Sequence, residues 1–598
     1  MRRVNKQLFF AIWIVLVNLL IGLVFSFYHL LIPIKYKQNY YSPLVLNTRA
    51  DSLAVDETIA YGIKTREIMD GNWKLSDSYL WEYKNKPSPL IGELMPALLM
   101  GGLSKIGGNV DKGFMLADFI LPMIIFSELG YFIYLLSKRP WLSTLGSLIV
   151  MIFFKYFKYF PFLPSIIKII FQAPINGSVS EFARSFHPQV SFIFMLALAI
   201  VVFKINKRQK DDKRLTILLG IILGSLFYSY LFFWTFALVW LGISFIWAII
   251  KKKGGMIKTI LKGSLLGLGL GIPYFITMFK FFLSSPNESF MPNFQYSPDL
   301  NIYSISLIII FWGLASFLVK KGRERIFWQI FYTTTLLLIV IAKISGFAIN
   351  NPVGHWMLRI VYPFSMSFLV IMIIQKLKQD LKLLAIILTV FLLTYQAKAH
   401  WQYFSLQHEA YALENSKVEM FEFLNENLPK NSVVVTASLV DNLYLATYTS
   451  ANIFIPRSQQ SLASEQERIE RFLAAYKILE VDEGKIADMF RFTDENKQLA
   501  KQHLYNLDEC GGIYFYFWKY SINHDYKYYD CSIPEEQIAI LLDEYEKTND
   551  NLNYWAGKYK MDYWLWGLFE EKWAQVDLDK LSGWQLVWQN KDYKLFKI

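Results

Sequence analysis

Charge is scarce in this sequence: Asp, Glu, Lys and Arg make up 18% of its 598 residues, against about 25% in an ordinary soluble protein. An ordinary soluble fold is therefore excluded for much of the chain. Familiar chemical signatures are missing too. There is no Walker-type glycine loop, no Gly-x-Ser-x-Gly and no dinucleotide fingerprint, which sets aside the P-loop, serine-hydrolase and Rossmann readings. No His/Cys spacing suited to a metal centre occurs. The net charge is +12, yet no basic stripe with interleaved aromatics lies outside the short loops, so no nucleic-acid partner is expected. Cysteine is limited to Cys510 and Cys531. A disulfide is permitted in an oxidising compartment, but sequence does not show that the two approach.

What fills the space is apolar. Hydrophobic residues make up 54% and aromatics 17%. From Leu8 to about Ala397 long apolar runs follow one another, and from His400 onward the composition is that of a globular domain. Runs long enough to span a bilayer fall near 8–32, 114–136, 141–160, 187–203, 215–231, 233–250, 257–281, 301–319, 326–346, 355–375 and 381–397. The first exceeds the about 7–15 apolar residues of a signal peptide and lacks a small-x-small cleavage site, so it reads as a retained helix.

Basic clusters then set the topology. Arg2/Arg3/Lys6, Lys138/Arg139, Lys204–Arg214, Lys251–Lys253, Lys320–Arg325 and Lys376–Lys382 fall on every second connection. The alternate connections 284–300 and 347–354 hold no Lys or Arg. The positive-inside rule puts the N-terminus in the cytoplasm and everything after the last run outside. The expectation is a polytopic α-helical protein of the plasma (inner) membrane, with about eleven transmembrane helices in residues 1–399. An extracytoplasmic α/β domain follows in residues 400–598.

Leu90–Ile106 is apolar but carries Glu93, Pro96 and several glycines. As a crossing it would invert every later loop, so it reads as lying along or dipping into the outer membrane surface. In the C-terminal domain, Glu419–Asn427 reads as the end of a helix, Val433–Val435 as a buried strand and Glu465–Tyr476 as a charged helix. Trp584–Trp588 and Tyr593–Ile598 read as a hairpin around Asn590-Lys591-Asp592.

The first outer segment, 33–113, is acidic and patterned. Asp51 is followed by Asp56-Glu57, Tyr61, Arg66-Glu67-Ile68-Met69, Gly71-Asn72-Trp73, Tyr83 and Lys86-Pro87-Ser88-Pro89-Leu90. By spacing alone Asp56 caps a helix over Glu57–Met69 and Gly71 stops it. A chemical reading competes with that plain one. The 35 residues from Asp56 to Leu90 resemble the first-loop signature of GT-C glycosyltransferases, nearest the protein mannosyltransferase and lipid A aminoarabinose transferase group. In that group an acidic pair opens a juxtamembrane helix and a Gly-Asp/Asn-Trp stop follows. A Lys-Pro-Pro-Leu element then leads into a second membrane-surface helix. Ser88 departs from the pattern by splitting the proline pair, and Asp51 is an additional acid upstream.

The resemblance implies an enzyme that takes a sugar from a polyprenyl-phosphate carrier and passes it to a glycan, lipid or protein acceptor at the outer surface. A carboxylate at the lipid boundary acts as general base. Asp56 is the first candidate, with Glu57 or Asp51 orienting the acceptor or a cation, and Asp51 competes for the role. The phosphate needs cationic partners, and Arg suits it geometrically. Arg359 lies about one turn inside the outer end of the run 355–375, with His355 one turn earlier on the same face. Lipid head groups and internal ion pairs are the competing uses of Arg359. Glu181, Arg184 and His187, spaced i, i+3, i+6, permit a helical face that also fits a simple local ion pair. Arg184, His187 and Lys86 complete the phosphate set. Oxygen ligands from Asp51, Asp56 and Glu181 would suit Mg²⁺ or Mn²⁺. The metal requirement, the sugar and the acceptor stay open. A rival of another class is a non-catalytic transporter or flippase of a lipid-linked glycan. It shares the helices but needs neither the long acidic segment nor the outer domain, and no internal repeat is found.

Overall fold

A backbone in lipid must satisfy its own polar groups, so long apolar runs fold as helices. The computed structural model describes residues 2–44, 61–159, 163–176, 180–208, 210–284, 302–320, 322–345, 355–377, 379–456, 461–491, 535–576 and 583–598. Asp51, Asp56, Glu57, Cys510 and Cys531 lie outside the described residues. The helices are α1 (Arg2–Tyr36), α2 (Ile63–Met69), α3 (Leu94–Gly107), α4 (Val110–Ser137), α5 (Pro140–Phe153), α6 (Leu163–Asn176) and α7 (Ser191–Arg208). They continue as α8 (Lys213–Phe227), α9 (Leu231–Ile250), α10 (Gly254–Ser284), α11 (Ile302–Leu318), α12 (Arg323–Ser345), α13 (Tyr362–Lys376) and α14 (Lys382–Leu406).

Among the described residues, ten helical stretches are long and apolar enough to cross a membrane by length and composition. The chain is a polytopic helical membrane protein. The set differs from the eleven expected runs in three places, one of them α11, which at 17 residues counts only as a shorter apolar helix. Pro89–Gly107 qualifies by length and composition, whereas α8, at 15 residues, is about 22 Å long and falls short of a full span. α8 lies against α10 along a glycine seam. A Cβ on Gly220 or Gly224 would meet Leu266 or Leu270, and one on Gly263 or Gly267 would meet Leu219 or Leu223, all within 3 Å. Small residues at this spacing let two helices approach closely where lipid offers no hydrophobic drive. α1 and α4 are joined by a buried pair, His29 Nε2 to Asp118 Oδ2 at 2.9 Å, with Tyr41 on the other ring nitrogen.

The C-terminal domain carries a five-stranded sheet of order β2-β1-β3-β5-β4. Its strands are β1 (Val433–Val435), β2 (Asn452–Ile453), β3 (Tyr563–Trp566), β4 (Gln585–Gln589) and β5 (Lys594–Lys597). β1 runs parallel to β2 and β3, and the β4–β5 pair is the antiparallel hairpin expected around Asn590-Lys591-Asp592. α15 (Asn415–Asn427), α16 (Leu439–Tyr448) and α17 (Glu465–Ile478) flank it.

Segment 61–83 is built into this domain, a link that no local pattern announces. Asp77, fully buried, accepts hydrogen bonds from the Tyr79, Leu80 and Leu462 amides and from the Ser461 hydroxyl at 2.6–2.9 Å. Ile453 N donates to the Tyr79 carbonyl at 3.0 Å. Ile63, Tyr79 and Leu80 share one apolar core with Leu424, Val434, Leu443, Leu565 and Leu595.

Candidate functional site

The site begins with a helix stop. Gly71 adopts φ +96°, a conformation glycine tolerates best. Asn72 N donates to Glu67 O and Gly71 N to Ile68 O, closing the end of α2 as expected. Arg66 on α2 reaches outward to Asp70, the Tyr448 carbonyl and Asn425. Glu67 is buried and pairs with Lys84 at 2.5 Å. Burial pushes the Glu67 carboxyl up, with Lys84 opposing the shift. These two residues of the signature hold α2 in place.

The other face of α2 carries Tyr61, just before the helix, and Lys64, both buried. Lys64 pairs with Glu93, which stands at the N-terminal end of α3. Ser88 explains its own departure from the proline pair. Its hydroxyl accepts from the Leu90 amide at 3.2 Å and caps the short turn Pro89–Glu93 that leads into α3. One end of α3 is tied to the α8–α9 junction and the other is closed locally. Met95 N donates to the Tyr228 carbonyl at 2.8 Å. After the Gly108 stop, Asn109 caps α4.

Residues 181–187 do not form the helical face that their spacing permits. Glu181–Ala183 is one tight turn; Arg184 (φ −105°, ψ 104°) and His187 (φ −134°, ψ 128°) are extended. Pro188 is the cause for His187, because a residue before proline is pushed from the helical to the extended region. Arg184 and His187 therefore reach the site from extended backbone. Glu181 stays on the turn, half-buried.

His187, 1% exposed, is the hub. Its Nδ1 bonds the Ser191 hydroxyl, and its Nε2 has no hydrogen-bond partner among the described residues. Its ring lies 5.4 Å from the Tyr61 ring and 4.6 Å from that of Tyr230. Arg184 stands 6.0 Å from the Tyr61 centroid. Tyr230, between α8 and α9, receives a 2.5 Å hydrogen bond from Arg359 Nη1, and its oxygen is 2.7 Å from His355 Nδ1. A guanidinium only donates, so the phenol keeps its own proton to give to His355 Nδ1. His355 also stacks on Phe232 at 4.3 Å, and Trp356 Nε1 donates to the Phe232 carbonyl. Among the described residues no carboxylate pairs with Arg359.

Four sequence-chosen residues, Arg184, His187, His355 and Arg359, thus meet around Tyr230 and Tyr61. Lys86 takes another place: it is exposed over the Tyr83 ring at 4.2 Å, and Tyr83 bonds Glu467 of α17. Sequence reasoning missed Lys64, Tyr61 as a ring contact, and Tyr230. The pair Tyr228 and Tyr230, polar-tipped rings where two apolar runs meet, was the available signal. Among the described residues no three His, Cys, Asp or Glu gather as a metal site; Asp51 and Asp56 lie outside them. No family model matches the sequence, and no curated protein matches it.

Proposed function

We propose that this chain is a membrane glycosyltransferase, moving a sugar from a polyprenyl-phosphate carrier to an acceptor on the extracytoplasmic side. One observation carries the reading. Arg359 and His355 share Tyr230, whose ring lies against His187, and Tyr61 of the acidic segment flanks His187 in turn. The Arg359 guanidinium and two imidazoles are thus gathered around Tyr230 and Tyr61, and Tyr61 follows Asp56 by five positions in the sequence. A carrier phosphodiester anchored by its tail in the bilayer presents its charge where Arg359 has no carboxylate partner among the described residues, and a guanidinium suits that charge by geometry.

In this reading Asp56, or Asp51, takes the proton from the acceptor as it attacks the anomeric carbon. The bond to the phosphate oxygen breaks, and the carrier leaves as a phosphate anion held by Arg359 and Arg184. About eleven crossings, a cytoplasmic N-terminus and a C-terminal domain outside are part of the proposal.

The test is reconstituted protein given polyprenyl-phosphate hexose and an acceptor pool. Transfer is expected in wild type and lost in Asp56→Asn. Transfer unchanged in Asp56→Asn and also in Asp51→Asn sinks the base assignment. Carrier crossing the bilayer without transfer would favour a flippase.

A further inference from the structure

Helix α6 does not cross the membrane, yet it leaves an apolar stripe uncovered. Its 14 residues rise about 21 Å, against a hydrocarbon core of about 30 Å. The chain reaches it through the turn Phe154–Tyr159 that continues α5. Beyond it, the Ser180 hydroxyl donates to the Met151 carbonyl near the end of α5, at 3.0 Å. Ser180, after α6, is therefore held at the same end of α5 from which the chain departs. The Ser180 amide also faces His400 Nε2, in the last part of α14 before the C-terminal domain.

One side of α6 is packed. Pro174 has no N–H, so the Ile170 carbonyl four residues earlier loses its helical partner. Tyr395 of α14 replaces it, donating its hydroxyl at 2.7 Å. Ala173, on the packed side, is buried. The opposite side shows Ile167 at 48%, Phe171 at 74% and Ile175 at 64% exposure, spaced i, i+4, i+8 on one face. Lys168 and Gln172, also exposed, run beside that stripe. α6 packs along α14, whose open apolar surface includes Phe391 and Ile387, exposed one and two turns before Tyr395.

We infer that α6 is a membrane-surface helix whose partner is the leaflet on the side of the C-terminal domain. Ile167, Phe171 and Ile175 sit among the acyl chains, and Lys168 and Gln172 lie at the head groups. Three features select lipid as the occupant. The stripe is on a helix that packs along a membrane-facing one, it is flanked by a snorkelling lysine rather than a ring of paired charges, and it is too narrow to be a second span. The inference does not depend on the transfer chemistry.

Spin labels test it. In full-length protein carrying Cys510→Ser and Cys531→Ser, single cysteines are placed at 167, 168, 171, 172 and 175, labelled, and read in liposomes by collision with oxygen and with a water-soluble nickel chelate. Phe391→Cys is the lipid control and Lys547→Cys the water control. The expected result is an oxygen-to-nickel ratio at 167, 171 and 175 matching position 391 and several-fold above position 547, with lower ratios at 168 and 172. High nickel access at all five positions overturns the inference, because the stripe is then in water. Low access to both reagents also overturns it, because another protein surface then covers the stripe.

Discussion

Arg359 donates its hydrogen bond to the hydroxyl of Tyr230, a residue 129 positions earlier and on the opposite side of an intervening set of helices in sequence. The pairing leaves a permanent positive charge held by a neutral oxygen. Such a charge at the end of an apolar helix is costly unless it is used.

If the guanidinium grips a phosphate, Arg359→Ala removes a charged hydrogen bond made when the leaving group departs. The expected loss of transfer is about 2 kcal/mol, about 30-fold. Arg359→Lys recovers only part of it, since an ammonium lacks the planar fork. Tyr230→Phe keeps the charge and loses the orienting oxygen, so about 1 kcal/mol is expected. Initial rates in proteoliposomes decide the order, and equal rates for all three would remove the phosphate role.

Asp77 is a test of the junction between segment 61–83 and the C-terminal domain. Asp77→Ala strands the Tyr79, Leu80 and Leu462 amides, and each buried unpaired donor costs about 1–3 kcal/mol. A lower thermal midpoint is expected, with faster hydrogen exchange in 76–83 and 461–463 together. Exchange that rises in one strip alone would show that the two are not one unit.

Glu570 supplies a pH dependence outside the membrane. It is fully buried, accepting from Thr436 Oγ1, the Ala437 amide and the Gly567 amide. Burial pushes its carboxyl up, and these bonds oppose the shift. A carboxyl raised in the folded state holds its proton more tightly there than when unfolded. Its stabilising contribution is complete below the unfolded carboxylate range and is lost as pH rises through the folded value. The stability advantage of wild type over Glu570→Gln should therefore shrink as pH rises above about 4. An advantage that grows over that range would contradict the sign.

Gly113 faces Ser104 across the α3–α4 hairpin, and a Cβ there would lie 2.6 Å from the Ser104 Cα. Alanine gains about 1 kcal/mol of helix propensity. The clash is with backbone, which cannot turn aside, and overpacking costs about 1–3 kcal/mol. Gly113→Ala should be destabilising by about 1 kcal/mol on balance. Adding Ser104→Gly should not restore it, since the Cα remains; full rescue would place the clash in the side chain alone.

The architecture was largely legible because lipid imposes one solution on long apolar runs. The strand at Val433–Val435 and the closing hairpin were legible from a short continuous apolar run and from Asn590-Lys591-Asp592. The site was legible only as separate residues. Arg359 and His355 could be paired by helical spacing, but nothing in one sequence says that Tyr230 lies between them. Lys64 carries no pattern that sets it apart in the sequence, and the helical pattern of Glu181, Arg184 and His187 was overridden at His187 by Pro188. Asp77 had no pattern at all, since its partners at 461 and 462 are supplied by a distant strip of backbone.

The interlock of Asp77 and Tyr79 with Ile453, Ser461 and Leu462 has a consequence for how the molecule is made. Tyr79 is held by Ile453 of β2, and β3 and β5 of the same sheet follow segment 61–83 by hundreds of residues. A stretch made early is therefore seated on partners made only after all the intervening helices.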